Sequence, residues 1–431
     1  MSYSFRKDLV PSGQAWIGGL PRDWELHRLG KFFKARNEKV SDSDFPALSV
    51  TKSGIVPQLD TAAKTDAGDN RKRVCVGDFV INSRSDRKGS AGVSPLDGSV
   101  SLISIVLEPR GIHRQFAHNL LRSYPFQEEF YRFGKGIVAD LWSTNYSEMK
   151  NIIIPVPSAD EQLAIANFLD RETAKIDTLI DQQEQLIKLL EEKRRAVISH
   201  AVIKGLNPDV RMKDSGVEWL GEVPEHWTVR RSKFLFEFVT SGSRGWGQFY
   251  ADDGELFFRI SNLTRNSIDV DGSSLQFVQP PAGSEGERSR IHVGDLLISI
   301  TADLGSVAVA NDLFHRGYVS QHVALCRPNK QVGNPRWLGY CFISDQVKQQ
   351  FLSSGYGGTK VQLSLPDVRE VCVPLPPQEE RNQIAEFIDG KLSELDAVVL
   401  EGARLIQLLK ERRTALISAA ATGKIDVRNA V

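Results

Sequence analysis

One stretch of about fifty residues occurs twice in this chain, and this repeat constrains the fold more than any other feature of the sequence. Pro155–Ile203 aligns without a gap with Pro374–Thr422 at an offset of 219, and about a third of the aligned residues are identical. An internal repeat of this length divides the chain into two similar halves. We therefore expect the same structural unit to occur twice.

Each copy of the repeat carries apolar residues at heptad spacing, which predicts a long helix that packs one stripe against another helix. Ser158 with Glu161 three residues later forms a capping box, which marks the start of the first helix. Roughly 44 helical residues extend over about 65 Å. Two such helices in one chain most simply pair with each other. The residues expected between the helices, or against a partner, are Leu169, Ile176, Leu179, Leu186, Leu190, Val197, Ile388, Leu395, Val398, Leu405, Leu409 and Leu416.

The composition is that of an ordinary globular protein, with 41% hydrophobic and 25% charged residues in a chain of 431. The formal net charge is zero, which argues against a uniformly basic nucleic-acid binder but leaves room for local basic faces. No apolar run reaches the roughly 18 residues of a membrane span. The four cysteines lack the spacing of metal ligands. We expect a cytoplasmic protein with free thiols and no membrane contact.

A short segment in front of each β-rich region also recurs, at an offset of 203. Its Trp-Gly-Pro-Trp spacing predicts an aromatic plug that docks the entering chain onto the domain behind it, so a structural role is favoured over ligand binding. The matching residues are Trp16, Gly18, Pro21 and Trp24 in the first half and Trp219, Gly221, Pro224 and Trp227 in the second.

Between these segments the sequence alternates short apolar runs with Gly, Pro, Asn and Asp, which predicts two β-rich domains. Both halves add an amphipathic helix, predicted at Arg114–Phe133 and Arg336–Ser353, but their loops share almost nothing. One scaffold with two different recognition surfaces is indicated. The predicted bounds are 1–157 and 211–376 for the domains, and 158–210 and 377–431 for the helical repeats.

Motifs of common enzymes are missing from the sequence. It contains no G-x-x-x-x-G-K-[ST] phosphate loop, no N-P-P-(Y/F) tetrapeptide of an amino-methyltransferase and no H-E-x-x-H metal motif. Asp160-Glu161-Gln162 is similar to a helicase acidic box, yet it lies at a predicted helix start, where acidic residues favour the helix dipole. We therefore expect a protein that is not an enzyme.

Several motifs resemble those of the specificity subunits of type I DNA restriction-modification enzymes. These are the two P-x-P-x-x-(D/E)-E openings followed by I-A-x-F-(L/I)-D, at Pro155–Asp170 and Pro374–Asp389, and the segments LLEEKRRAVIS and LLKERRTALIS. The W-x-G-x-x-P-x-x-W leaders and the turns VGDFVIN and VGDLLIS complete the resemblance, which covers essentially the whole chain.

The resemblance implies an α+β fold in which two β-rich target-recognition domains are separated by two long antiparallel coiled-coil helices, with pseudo-twofold symmetry from the repeat. Each domain would read one half of a split, asymmetric site in double-stranded DNA. Partners would be two methyltransferase subunits that methylate adenine at N6, and two restriction subunits. This chain would bind no cofactor, whereas the partners would use S-adenosylmethionine, ATP and Mg²⁺.

Specific recognition of DNA needs Lys and Arg on phosphates, and forked or amide side chains on base edges. Arginine suits guanine, and asparagine or glutamine suits adenine. For each residue alone, a solvated loop side chain is the competing interpretation. The residues expected to face DNA are Thr51, Lys52, Ser53, Arg71, Lys72, Arg73, Asn82, Arg84, Arg87 and Lys88 in the first half and Ser243, Arg244, Trp246, Gln248, Arg259, Asn262, Lys360 and Gln362 in the second.

Two other functions stay open on the sequence alone. One is a stand-alone protein that binds a bipartite DNA site, and the other is a coiled-coil scaffold whose β-rich domains bind proteins. The basic runs Lys193–Arg195 and Lys410–Arg413, near the helix ends, are candidates for contacts with methyltransferase subunits or DNA, and equally for a solvated face.

Overall fold

The computed structural model describes residues 4–60, 68–136, 142–280, 284–353 and 362–428. The chain divides into two compact units: the first comprises Met1–Glu184 with Ala403–Val431, and the second comprises Gln185–Gly402. Each unit therefore holds one β-rich region, the start of one long helix and the end of the other. The predicted domain bounds, which keep the helices apart from the domains, stay a prediction.

The long helices of the repeat are α4 and α9, and the remaining helices are short. In chain order the helices are α1 (Arg114–Arg122), α2 (Tyr124–Arg132), α3 (Tyr146–Met149), α4 (Ala159–Lys204), α5 (Ser284–Glu287), α6 (Pro335–Ile343), α7 (Asp345–Ser353), α8 (Leu365–Glu370) and α9 (Gln378–Ala421).

Strands of the first unit form a four-stranded antiparallel sheet in the order β10-β9-β12-β4, a three-stranded sheet in the order β11-β8-β5, and the pairs β1-β2, β3-β13 and β6-β7. Their bounds are β1 (Leu9–Pro11), β2 (Gly19–Pro21), β3 (Glu25–Arg28), β4 (Phe33–Ala35), β5 (Lys39–Val40), β6 (Leu48–Thr51), β7 (Gly54–Pro57), β8 (Arg71–Val74), β9 (Phe79–Asn82), β10 (Ala91–Val93), β11 (Gly98–Val100), β12 (Ser104–Pro109) and β13 (Ile153–Val156).

Strands of the second unit repeat part of this plan, with the sheet β17-β24-β21-β22 and the pairs β14-β15 and β16-β25, and add the sheet β18-β20-β19-β23. Their bounds are β14 (Met212–Asp214), β15 (Glu222–Pro224), β16 (Thr228–Arg231), β17 (Phe236–Ser241), β18 (Tyr250–Ala251), β19 (Glu255–Phe258), β20 (Phe277–Val278), β21 (Leu296–Ser299), β22 (Val307–Val309), β23 (Tyr318–Val319), β24 (Val323–Pro328) and β25 (Cys372–Leu375).

The central sheet of each unit is buried on both faces. In β9, Phe79 and Ile81 join a large core with α1, α2 and the long helices, whereas Val80 faces a small core under β6, β7 and β8. In β21, Leu296 and Ile298 face the helices, and Leu297 faces a separate core. This alternation follows from the period of two along a strand. The long helices are therefore attached to one face of each sheet.

The second tryptophan of each repeated leader locks its unit together, as predicted for the plug, whereas Trp219, the first tryptophan of the second leader, is 40% exposed. Trp24 is buried and its Nε1 donates a hydrogen bond to Glu161 Oε2 at 3.1 Å, while Trp227 Nε1 donates to Glu380 Oε2 at 2.9 Å. Ser158 caps α4 as predicted, since its Oγ accepts from Glu161 N at 3.3 Å. The Glu161 side chain binds Trp24 and does not complete the capping box.

The end of each long helix packs against the same tryptophans. Gly205 and Gly423 follow α4 and α9 in the left-handed conformation, both with φ of 76°, as is usual for the residue that ends a helix. A Cβ on Gly205 would lie 3.1 Å from the Trp227 ring, and a Cβ on Gly423 would lie 3.1 Å from the Trp24 ring. Each tryptophan thus joins the start of one long helix to the end of the other.

Within each unit the segments of α4 and α9 run antiparallel. In the first unit, Arg413 pairs with Asp177, and Lys410 lies 3.7 Å from Glu184. Residue numbers thus fall along α9 as they rise along α4. Both helices have the predicted length, since α4 has 46 residues and α9 has 44. At 1.5 Å per residue α4 extends over about 69 Å.

The structure corrects the predicted amphipathic helices at Arg114–Phe133 and Arg336–Ser353. Each of these segments is a pair of short helices, broken at Ser123 and Ser344. Both serines have extended backbone, with ψ of 143° and 146°, and the next helix begins immediately after them. Pro125, in the first turn of α2, suits a helix start and not an interior, where it would remove a hydrogen bond.

Candidate nucleic-acid interface

In the first unit the tip of the β6-β7 hairpin presents Lys52 and Ser53 to solvent. Thr51 closes the turn, because its Oγ1 donates to Gly54 O at 2.9 Å and accepts from Ser53 N at 3.1 Å. Gly54 has φ of 120°, which only glycine adopts readily. Thr51 therefore shapes the turn, and the side chains of Lys52 and Ser53 are available to a ligand.

The loop that follows β9 presents two predicted arginines, Arg84 and Arg87, whose side chains are exposed. Asn82 orders this loop from below, since it is buried and its Oδ1 accepts from Arg84 N at 3.1 Å. Lys88, at the end of the loop, forms an ion pair with Glu128 of α2 and lies 5.8 Å from the centre of the Tyr124 ring. Asn82 is therefore corrected from a base reader to a support of the loop.

The predicted cluster Arg71–Arg73 belongs largely to the fold. Arg71 is buried in β8 and donates from Nε to Ser99 Oγ at 2.8 Å, which ties β8 to β11. Lys72 donates from Nζ to Ser104 O at 2.7 Å, and burial lowers its pKa. Arg73 pairs with Glu38 at 2.9 Å and lies 4.8 Å from the centre of the Phe45 ring. Arg71 and Lys72 are therefore corrected to structural residues.

A cavity of about 370 Å³ in the first unit brings Lys52 and Lys88 together with residues that the DNA-facing assignment missed. We call it the first-unit cavity. Arg122, at the end of α1, and Arg413, on α9, also line it. Arg122 donates from Nη2 to Lys52 O at 2.5 Å, and Arg413 donates from Nε to Asp177 Oδ1 at 2.8 Å. Four cations from separate parts of the chain thus surround one space.

Positive charge accumulates in this cavity. Burial and the neighbouring Arg413 lower the pKa of Arg122, although an arginine remains charged at physiological pH. Burial, Arg122 and Arg413 together lower the pKa of His118, which lines the same cavity, to about 4. Burial is the larger cause of both shifts and disfavours any charge, while the smaller effect of the neighbouring arginines disfavours a further positive charge.

In the second unit the predicted loop between β17 and β18 presents Arg244 and Gln248 to solvent, with Ser243 half-buried beside them. Trp246 lies in the same loop but is buried, and its ring stacks on Phe257 with ring centres 5.8 Å apart. Trp246 is therefore corrected to the core of the sheet that only the second unit adds. Gly245, with φ of 84°, makes the turn that sends Arg244 outward and Trp246 inward.

Asn262 is fully buried, and its amide group is saturated by the backbone. Its Oδ1 accepts from Arg259 N at 3.0 Å, and its Nδ2 donates to Asp271 O and Ser274 O at 2.9 Å each. It is corrected from an adenine reader to the residue that closes a loop. Arg259 is half-buried and donates from Nη2 to Ser274 Oγ at 3.2 Å, which leaves it at the edge of the surface. Gln362 is exposed, and Lys360 lies outside the described residues.

A cavity of about 520 Å³ occupies the corresponding place in the second unit. We call it the second-unit cavity. Arg194, which matches Arg413 in the repeat, lines it and pairs with Asp396, which matches Asp177. Where the first unit has Arg122 and Tyr124, however, the second has Ile343 and Asp345. Arg265 lies in the wall but pairs with Asp303 at 2.8 Å.

The predicted helix contacts divide into two classes. Residues of the first heptad series are buried or half-buried, namely Leu169, Ile176, Leu190, Val197, Ile388, Leu395, Leu409 and Leu416. The second series, Leu179, Leu186, Val398 and Leu405, is exposed by 46%, 40%, 48% and 41% in this chain, so the expected contact of these residues with a partner stays a prediction. In α4, Ile180 takes the buried position in place of Leu179. The predicted basic runs supply Arg194 and Arg413 to ion pairs between the helices.

No cluster of three or more residues that could hold a metal ion occurs among the described residues. No described helix is long and apolar enough to cross a membrane. All four cysteines are free thiols, as predicted, with Cys326 and Cys341 buried and Cys75 and Cys372 half-buried. Burial raises the pKa of the two buried thiols, which keeps them protonated.

Comparison with known proteins connects this chain to one group. A sequence profile described as the type I restriction modification DNA specificity domain matches residues 285–408. The type I restriction enzyme MjaVIII specificity subunit of Methanocaldococcus jannaschii is 21% identical over 427 residues, with 95% of each chain covered.

Two solved structures resemble the fold over nearly its whole length. One, from a study of complex assembly and conformational transition in the type I R-M system, gives a TM-score of 0.71 at 18% identity and covers 94% of this chain and 99% of that one. The other, the HsdS subunit from Thermoanaerobacter tengcongensis, gives a TM-score of 0.53 at 19% identity and covers 94% and 98%. At such identities these matches show a shared fold.

Proposed function

Since this chain belongs to the family of type I restriction-modification specificity subunits, we propose that it supplies such a complex with its DNA sequence specificity. Each unit reads one half of a split site in double-stranded DNA. The observation that carries the proposal is the repeated frame with two unlike sets of loops. The repeated leaders and long helices hold the two β-rich regions in the same way, and the different loops of these regions allow them to recognise different bases.

The exposed loop residues divide into two recognition sets. Lys52, Arg84 and Arg87 serve the first unit, and Arg244 and Gln248 serve the second. Arginine at the tip of an ordered loop suits bidentate contact with guanine in the major groove, and glutamine suits adenine. Each such contact discriminates against a wrong base by about 1–3 kcal/mol.

The long helices set the distance between the two half-sites. Lengthening α4 and α9 by one turn each, with four residues added after Glu184 and four after Gly402, adds about 6 Å to each helix. The preferred spacer between the half-sites should then grow by one or two base pairs at roughly 3.4 Å each.

The reaction itself belongs to partner subunits. Methyltransferase subunits transfer a methyl group from S-adenosylmethionine to adenine N6, and restriction subunits use ATP and Mg²⁺. Two copies of each partner match the two-unit plan of this chain. This chain binds no cofactor in the proposal, and it acts in the bacterial or archaeal cytoplasm, where the DNA is.

Mapping of N6-methyladenine across a host genome tests the proposal. The host expresses this chain with the methyltransferase encoded beside it, and a strain that lacks only this chain is the control. The expected result is a bipartite methylated motif that disappears in the control. Identical methylation in both strains would contradict the proposed function and would favour a protein-binding scaffold.

A further inference from the structure

The first-unit cavity holds more positive charge than its own carboxylates neutralise. Lys88 pairs with Glu128, and Arg413 pairs with Asp177. Arg122 has no carboxylate partner among the described residues, and its guanidinium donates to the neutral carbonyl oxygen of Lys52. Asp170 is the acidic residue in the cavity wall, and its Oδ1 accepts from Gln115 Nε2 at 3.0 Å.

A buried amide group in the same wall also lacks a partner. Asn119 lines the cavity and is 7% exposed, and its Nδ2 is buried without a hydrogen-bond acceptor in the described part of the chain. An unsatisfied buried donor costs about 1–3 kcal/mol in general, so such groups usually have a partner that completes them. A ligand oxygen in the cavity would satisfy this need.

These observations point to a ligand that is an anion with several oxygens. Arg122 contacts Lys52 O through Nη2 and His118 Nε2 through Nη1, and offers its remaining N–H groups to a ligand. Lys52 offers an ammonium group, and Tyr124 adds an exposed phenol at the rim. Phosphate oxygens suit this combination, because a guanidinium binds two of them at once. Burial is the main cause of the lowered pKa values of Arg122 and His118, and the repulsion from Arg413 that adds to both agrees with a positive site.

The position of the cavity identifies the source of the phosphate. Lys52 and Lys88 at its rim belong to the two loops that expose Ser53, Arg84 and Arg87. An anion in the cavity would therefore lie beside the side chains proposed to read bases. We infer that the first-unit cavity binds a backbone phosphate of the DNA half-site through Arg122, Lys52 and Asn119. The inference rests on the proposed function and adds a contact that fixes the register of the first reader.

The second-unit cavity has no counterpart of Arg122 among its described lining residues. Ile343 replaces Arg122, Asp345 replaces Tyr124, and Asp303 pairs with Arg265 in the wall. Asp303 and Asp345 line this cavity together with the basic Arg195 and Lys348, so the two cavities differ in the residue at the Arg122 position and not in a simple excess of carboxylates. The contact through Arg122 is therefore specific to the first half-site.

The first arm of the test uses inorganic phosphate and the full chain. Melting temperature is measured at constant ionic strength as chloride is replaced by phosphate, for the wild type, Arg122→Gln and Arg110→Gln. Arg110 is an exposed arginine paired with Glu108, and it does not line the cavity, so its variant matches the change in charge. The wild type and Arg110→Gln should be stabilised by phosphate, and Arg122→Gln should not. Equal stabilisation of all three would overturn the site.

The second arm uses the complex with its methyltransferase and duplexes in which one phosphate at a time is a neutral methylphosphonate. One position in the first half-site should weaken wild-type binding, and the same position should have no further effect on Arg122→Gln. The slope of log K against log salt should also fall by about 1 in that variant. Arg122→Lys keeps the charge and should recover the slope but only part of the affinity.

The outcomes separate the inference from the proposed function. If the wild type binds its site specifically but no methylphosphonate position is coupled to Arg122, the DNA contact is wrong and the proposed function stands. An acidic segment of a partner would then be the ligand if the phosphate arm succeeds. If the wild type shows no sequence-specific binding with its partner present, the proposed function fails and the DNA contact fails with it.

Discussion

The two units share a frame of leader segments and long helices, in which about a third of the aligned residues of the helical repeat are identical, yet their loops and cavities differ. The tryptophan-to-glutamate bond and the arginine-to-aspartate pair between helices occur in both units, with the two copies of the repeat exchanging roles. The central sheet of each unit has a separate core on the face away from the helices, and the second unit adds a four-stranded sheet with a further aromatic cluster around Trp246. The contacts that position the two β-rich regions are therefore common to both units, whereas the loops proposed to contact DNA differ.

The largest loss of stability is expected from a substitution in the aromatic cluster around Trp246, which the second unit adds. Trp246→Ala removes a buried ring that packs on Phe257 and Tyr318. We expect the free energy of unfolding of the second unit to fall by about 3–5 kcal/mol, as for other buried tryptophans. Denaturant unfolding measures it. A stable variant with altered base preference would contradict the structural role and return Trp246 to the interface.

The matched glutamates Glu161 and Glu380 should contribute unequally to the stability of their units. Glu161 is buried and bonds both Arg6 and Trp24, whereas Glu380 is partly exposed and bonds Trp227 and the exposed His226. Glu161→Gln should cost about 3 kcal/mol, because it leaves the buried Arg6 without its main partner.

For Glu380→Gln we expect a loss of about 1 kcal/mol, as for an ordinary hydrogen bond. Thermal unfolding of the two variants side by side measures the difference. Equal losses would show that the buried Arg6 does not distinguish the units.

Acid should weaken the first unit more than the second. The pKa of His118 is lowered from 6.5 to about 4, whereas the second unit has Gly339 at this position. Below pH 6.5 His118 is protonated in the unfolded chain but stays neutral in the folded chain. The free energy of unfolding therefore falls as the pH drops toward 4. The loss reaches on the order of 3 kcal/mol.

His118→Gln is the test of this pH dependence. The groups around the imidazole are Arg122 of its own helix, Arg413 of α9 and Val93 N, which donates to Nδ1 at 3.1 Å. The variant should lose less stability than the wild type between pH 6.5 and pH 4, as measured by denaturant unfolding at several pH values. Identical slopes in wild type and variant would contradict the assignment.

The smallest effect is expected at the repeated ion pair between helices. Asp177→Asn and Asp396→Asn each remove one copy, and both aspartates are about half exposed. Each variant should lose less than about 1 kcal/mol, since exposed pairs contribute little. Measurement of both in low and high salt should show the differences shrink as salt rises. A loss of several kcal/mol in either would mean that the pair is essential to its unit.

Sequence reasoning predicted the frame because the frame obeys local rules. Heptads, caps and the repeated leader specify helix, start and plug, and each is a pattern within one segment of chain. Which residue beside the first heptad series is buried could not be predicted, since Ile180 and not Leu179 is buried in α4, and this depends on the surfaces that pack against the helix. The break at Ser123 was missed although Pro125 signals it.

The candidate site was harder to predict because burial decides it. Arg71, Asn82, Trp246 and Asn262 belong to residue types that read DNA, but the fold uses their donors and rings internally. Conversely, Arg122 and Arg413 are far from the reading loops in sequence and meet them only in the first-unit cavity. The repeat did single out Arg413, through its match to Arg194, but not the space that it faces.

The most direct test of the account assigns one half-site to each unit. Genome-wide N6-methyladenine motifs are compared for the wild type, for Arg84→Ala combined with Arg87→Ala, and for Arg244→Ala, each expressed with the partner methyltransferase. The account predicts that the first variant relaxes only one half of the motif and that Arg244→Ala relaxes only the other, with the spacer unchanged. Relaxation of the same half by both variants, or of both halves by either one, would contradict it.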